Sequence, residues 1–97
     1  MFINVNAKNV YVDYGSSDKN DIECLSEDIM INLNQILQLQ IESCLISKYI
    51  FDQKVILDKK IAFYNYTEDG LWNFMTLYFS KKSYVEFKKL KEKIENY

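Results

Sequence analysis

One dipeptide constrains this chain more than any other: Asp69-Gly70, set between two aromatic-rich apolar runs in Ile61–Phe79, IAFYNYTEDGLWNFMTLYF. Asp-Gly flanked by such runs is the strongest short hairpin signal, because a type I′ turn needs positive φ at both central residues. With Asp69 and Gly70 as those residues, Glu68 faces Leu71, Tyr66 faces Asn73, Tyr64 faces Met75 and Ala62 faces Leu77. One face then carries Ala62, Tyr64, Tyr66, Leu71, Met75, Leu77 and Phe79, and the other Ile61, Phe63, Trp72, Phe74 and Tyr78. Both faces are apolar, so both need cover. A core on one side, with a helix or curled sheet on the other, would supply it. Alternatively the Tyr64/Tyr66 side meets a partner, since tyrosine suits half-wet surfaces.

A helix should follow to the C-terminus. Ser83-Tyr-Val-Glu86 has capping-box spacing, and Ser80 is the rival N-cap. Tyr84, Phe87, Leu90, Ile94 and Tyr97 recur at three- and four-residue steps, an amphipathic stripe. Lys88–Glu92 and Lys91–Glu95 are (i, i+4) pairs on its solvated side.

Upstream, Phe2–Asn6 and Val10–Tyr14 alternate apolar with polar and read as a short hairpin or one bent strand. Gly15–Asp21 is a loop, and Ile22–Leu25 another short strand. Ile29–Ser47 reads both ways. Its odd positions are apolar except Gln35, which favours strand, or two strands with an irregularity near Gln35. Ile29, Leu33, Ile36, Leu37, Ile41, Cys44 and Leu45 also form a helical stripe. Tyr49–Phe51 and Val55–Leu57 are short apolar runs parted by Asp52-Gln53-Lys54. The expected class is α+β, a single domain over 1–97. It is a mostly antiparallel β roll of six to seven short strands closed by one C-terminal amphipathic helix. The alternative adds a central helix at 27–47.

Two stretches carry a family resemblance: Ile31-Asn-Leu33-Asn-Gln-Ile36-Leu-Gln-Leu39-Gln-Ile41, and Leu77-Tyr-Phe79-Ser80 running into Tyr84, Phe87 and Leu90. Their apolar spacing resembles the pleckstrin-homology-like superfold, including GRAM-type members. The resemblance implies a curled antiparallel roll plugged by a helix and used for binding. Relatives that hold phosphoinositides do so with basic residues around their first strands. Here that region is Asp18-Lys19-Asn20-Asp21 flanked by Asp13 and Glu23, which repels an anionic headgroup. The resemblance therefore implies a protein partner.

Composition narrows the chemistry. The chain has no histidine, arginine or proline; all 12 basic residues are lysine. The usual neutral-pH acid–base group and commonest zinc ligand is missing, and so is the bidentate fork for phosphate or guanine. With two glycines there is no glycine-rich phosphate loop. No serine has a histidine to activate it, so no enzyme and no cofactor is expected. Such lysine- and tyrosine-rich usage suits an AT-rich genome, that of a low-GC bacterium, its phage or plasmid. No apolar run reaches spanning length, so a cytoplasmic protein without a membrane partner is expected. Cys24 and Cys44 lack metal spacing and read as buried thiols.

Residues 1–47 hold two lysines against seven acids, a balance of −5; residues 48–97 hold ten against seven, +3. Asp13, Asp18, Asp21, Glu23, Glu27 and Asp28 lack calcium-loop spacing. Together with Tyr64 and Tyr66 they are the candidate partner surface, suited to a basic protein such as one that binds nucleic acid. Self-association stays open. Lys81, Lys82, Lys88, Lys89, Lys91 and Lys93 are the alternative, a nucleic-acid or lipid face, though Glu86, Glu92 and Glu95 interleave with them. The functional expectation is a small protein-binding domain or inhibitor that occludes a partner.

Overall fold

A computed structural model describes residues 2–15, 22–36 and 38–96. Seven strands and one helix follow in order among these residues: β1 Phe2–Val5, β2 Val10–Asp13, β3 Glu23–Cys24, β4 Ile29–Asn32, β5 Gln38–Ile50, β6 Gln53–Thr67, β7 Gly70–Phe79 and α1 Tyr84–Glu95. The class is α+β, as the sequence indicates, but β5 and β6 are long. β1 pairs antiparallel with β4, and the other five strands form an antiparallel sheet in the order β3-β2-β7-β6-β5.

The ambiguous stretch resolves as strand, break, strand. A 3₁₀ turn at Leu33–Gln35 separates β4 from β5, and Asn32 caps it by accepting from the Asn34 N–H at 3.1 Å. The short polar side chain competes for the backbone and stops β4 there. The helical alternative for 27–47 fails because β5 pairs with β6 through most of its length. Leu37, on that helical stripe, lies outside the described residues.

β1 and β2 form neither a hairpin nor one strand, contrary to the sequence expectation. They lie in different sheets, and Asn6–Asn9 makes the corner. Two carboxylates hold that corner. Asp28 Oδ1 accepts from the Ala7 N–H at 2.8 Å, and Glu86 Oε1 from the Asn6 N–H at 2.9 Å. Asn9 turns the chain with φ +60, a region asparagine tolerates better than most residues.

The β6–β7 hairpin is present, but its turn is shifted. Thr67 pairs with Gly70, so Glu68 and Asp69 are the central residues, and Gly70 alone of these takes a positive φ, +112. Thr67 Oγ1 accepts from the Asp69 N–H at 3.2 Å. A threonine that bonds two residues on draws the turn back from Asp-Gly. A bulge then falls between Phe63 and Tyr64 on β6, where β7 carries the extra residue. The Asn73 side-chain amide stitches it, donating to the carbonyls of Phe63 and Met75, each at 3.0 Å. A one-residue slip moves a strand's side chains to the opposite face. Below the bulge Ile61 and Phe63 therefore share a face with Met75, Leu77 and Phe79, and Ala62 joins Thr76 and Tyr78. Ile61 and Phe63 thus lie with Met75, Leu77 and Phe79, and not with Tyr78 as an Asp-Gly turn without a bulge would place them.

That odd row is the main core. Ile61, Phe63, Leu77 and Phe79 are fully buried against Ile3, Val5, Ile31, Val10 and Val12, with Phe87 and Leu90 of α1 closing one side. Phe79 and Phe87 meet edge to face at 5.3 Å. Each such side chain contributes about 1.5–3 kcal/mol by leaving water. Ser80, not Ser83, caps the C-terminal helical segment: its Oγ accepts from the Lys82 N–H at 3.2 Å, and Ser83 Oγ accepts in return from the Ser80 N–H at 3.0 Å. Glu86 is left free to reach Asn6. Tyr97, expected on the helix stripe, lies outside the described residues.

The second face of the sheet is covered by the chain itself. Fully extended, the 15 residues of β6 would span roughly 50 Å at 3.3 Å per residue, more than the longest dimension of 38 Å. The strand must bend. Its first part, Gln53–Asp58, pairs with β5 alone. This two-stranded arm packs Cys44, Ile46, Ile50, Val55 and Leu57 on Tyr11, Ile22 and Tyr78. Lys48 Nζ donates to the Ile22 carbonyl and ties the arm down. The curled-sheet cover expected of a two-faced apolar hairpin is therefore the β5–β6 arm.

Candidate functional site

The arm ends in a tight turn. Ile50 pairs with Gln53, so Phe51 and Asp52 are its central residues, with φ +51 and +62. Such a turn closes a twisted hairpin, and asparagine or glycine fills it at least cost. Here the first position holds a phenylalanine that is 89% exposed. Positive φ is a genuine outlier for a bulky residue. Further back along the arm Tyr49 (72% exposed), Leu45 (83%) and Ile56 (50%) are exposed too. The bulge between Ser43 and Ile46 pushes Leu45 outward. A cleft of about 530 Å³ runs beside the tip, with Ile50, Phe51 and Gln53 on one wall and Cys24, Leu25 and Ser26 on the other.

The candidate acids divide. Asp13 is buried on β2, and Asp28 is committed to the Ala7 corner. Glu23 and Glu27 are exposed on either side of Cys24–Ser26, the wall that faces Phe51. Asp18 and Asp21 lie outside the described residues. The tyrosines divide too. Tyr64 is half-buried and its hydroxyl donates to Gln40 Oε1 at 3.1 Å, while Tyr66 is exposed opposite Leu71 near the other turn. Tyr64 is thus a packing residue and Tyr66 remains a surface one.

The helix lysines are largely engaged. Lys89 bridges Glu86 at 3.5 Å, Lys91 bridges Glu95 at 3.9 Å, and Lys88 lies over the Tyr84 ring at 5.9 Å. Lys88 therefore turns to Tyr84, not to the expected Glu92. Lys93 is half-buried. Lys81 and Lys82 stand apart from this face, exposed where β7 gives way to the helix.

Neither cysteine pairs; Cys24 is exposed, contrary to the sequence expectation, and Cys44 half-buried. Cys44 Sγ donates to the Leu57 carbonyl at 3.4 Å. Burial pushes its thiol pKa up, which outweighs the opposing pull of Lys60. A thiol held protonated is a poor nucleophile. Burial likewise raises Tyr78, helped by the negative charge of Asp13, and raises Tyr11. These shifts mark packing under the arm. Among the described residues no three potential ligand side chains gather to hold a metal, and no helix is long and apolar enough to cross a membrane.

The sequence reading missed Phe51, Tyr49 and Leu45. Phe51-Asp52 lacks the asparagine or glycine that announces a type I′ turn. A weak signal was available in the alternation of Ile46, Lys48 and Ile50 with Val55 and Leu57 on either side of it. Comparison of the chain with protein-family models, with curated proteins and with solved structures finds no match.

Proposed function

We propose that this chain is a small protein-binding domain that acts by occupying a surface of a partner, and that the tip of the β5–β6 arm is its contact. One observation carries the reading: Phe51 is held 89% exposed at φ +51, so it gives up both backbone comfort and burial. Backbone outliers of this kind concentrate at binding sites. An exposed aromatic at the end of a stiff hairpin, flanked by Tyr49, has the character of an interface anchor. Glu23 and Glu27 flank the Cys24–Ser26 wall without lining the cleft, whose charged side chain is Lys8. A basic partner with an apolar socket for Phe51 would meet these two carboxylates beside the cleft, not inside it. Occluding such a surface, for example on a nucleic-acid-handling protein, would make the domain an inhibitor. The pleckstrin-homology-like resemblance implies the same use.

The test is affinity capture from a lysate of the cells that express the chain, with wild type and Phe51→Asn side by side. We expect one enriched protein, reduced about tenfold or more by the variant, as loss of an anchor implies. Equal capture by Phe51→Asn would remove the tip from the interface.

A further inference from the structure

β7 lies between β2 and β6, and it stops at Phe79, opposite Val10 on one side and Lys59 on the other. The chain then turns away through Ser80 into the helical segment. β6 extends past this point: Gln53–Asp58 has β5 along one edge and, among the described residues, no strand along the other. A cleft of about 490 Å³ opens there, where the line of β7 would have continued. Asn9 and Tyr11 border it on the β2 side. Leu45, Val55 and Ile56 give it an apolar lining, and Lys54, Lys81 and Lys82 ring it against the single carboxylate of Asp58. The cleft therefore combines an open backbone edge, apolar contact and an excess of positive charge.

We propose that this cleft receives an extended acidic peptide segment of a partner protein, which adds as a strand to the free edge of β6. Main-chain hydrogen bonds to β6 would hold it. Lys54 and Ile56 share the outer face of β6, so a single outer row of the peptide's side chains would meet both, an apolar one at Leu45 and Ile56 and carboxylates at Lys54, Lys81 and Lys82. Strand addition to an exposed sheet edge is a recurrent mode of peptide capture, with side-chain pockets supplying selectivity. Antiparallel to β6, the added strand runs in the direction of β7. The inference extends the protein-binding reading, since Leu45 and Ile56 belong to both surfaces, but its test is read on β6 and does not depend on Phe51.

The probes are three acetylated hexapeptides: Glu-Thr-Val-Thr-Glu-Thr, with acid and apolar side chains in one row, its lysine counterpart Lys-Thr-Val-Thr-Lys-Thr, and Glu-Pro-Val-Pro-Glu-Thr, which keeps the charge but lacks two main-chain donors. Each is titrated into the ¹⁵N-labelled protein, and amide hydrogen exchange is followed. The acidic peptide is expected to shift Gln53–Asp58 and Ser80–Lys82 and to slow exchange at alternate amides of Gln53–Asp58. Lys81→Glu/Lys82→Glu should weaken it about tenfold or more and turn the preference towards the lysine peptide. Both lysines are exposed, so the fold should survive; Lys54→Glu is the second variant, expected to act in the same direction. Equal binding of the lysine or proline peptide would overturn the proposal, as would shifts that map elsewhere. So would phenyl phosphate reproducing the shifts without slowed exchange, which would make the cleft a small-anion pocket.

Discussion

Phe51 shows how one residue can point to function through its backbone and its exposure. Left-handed backbone costs a non-glycine residue roughly 1–2 kcal/mol, and asparagine less than most. Natural chains keep such strain where something else depends on it. The other perturbed residues lie on the covered side of the same arm. Tyr78 and Tyr11 hold their protons above the ordinary phenol value of 10.0, and Cys44 above the ordinary thiol value of 9.0, because burial disfavours the charged forms. The folded chain keeps these protons where the unfolded chain gives them up. Their stabilisation is therefore whole below the ordinary values and is lost as pH rises through the folded ones. Urea unfolding followed from about pH 8 to about pH 11 should show a falling midpoint, and Tyr78→Phe should flatten the fall. A midpoint that climbs over that range would mean the arm does not bury these groups.

At the scale of elements, what could be read in the sequence depended on which residue fixed each strand's register. The hairpin over Ile61–Phe79 and the C-terminal helix were legible, since each rests on its own periodicity; 29–47 fits strand and helix alike, and only the pairing of β5 with β6 decides it. The hairpin's faces were not legible, because Asn73 overrides the turn. Its amide donates to two carbonyls across the bulge, and its Oδ1 accepts from Thr76 at 3.0 Å. Nothing in the alternation of β7 announces that arrangement. Asn73→Ala removes these three bonds in a half-buried setting and should destabilise the fold by about 1–3 kcal/mol. Chemical denaturation measures this directly, and a change within error would show that the bulge holds without its side chain. Asp28 and Glu86 failed as sequence signals for a related reason. Each looked like surface charge or a helix cap, yet each bonds a backbone amide of the Asn6–Asn9 corner from far along the chain.

For the whole molecule, the arm explains how 97 residues cover both faces of one sheet. The β1–β4 pair and the helix cover one face, and the bent end of β5–β6 covers the other. A long arm needs a turn far from the main core, which is where Phe51 sits. The candidate site was therefore only partly legible: Glu23, Glu27 and Tyr66 are on the surface as expected, whereas the arm tip depends on a fold-back that no local pattern encodes. Phe51 thus sits at the tip at a cost in stability. The most direct measurement is the thermal midpoint of Phe51→Asn/Asp52→Gly against wild type. Asparagine-glycine is the dipeptide this turn prefers, so the midpoint should rise by at least about 4 °C, as about 1 kcal/mol implies for a domain of this size. A lower midpoint would contradict it, because Phe51 would then be contributing to the fold and not waiting for a partner.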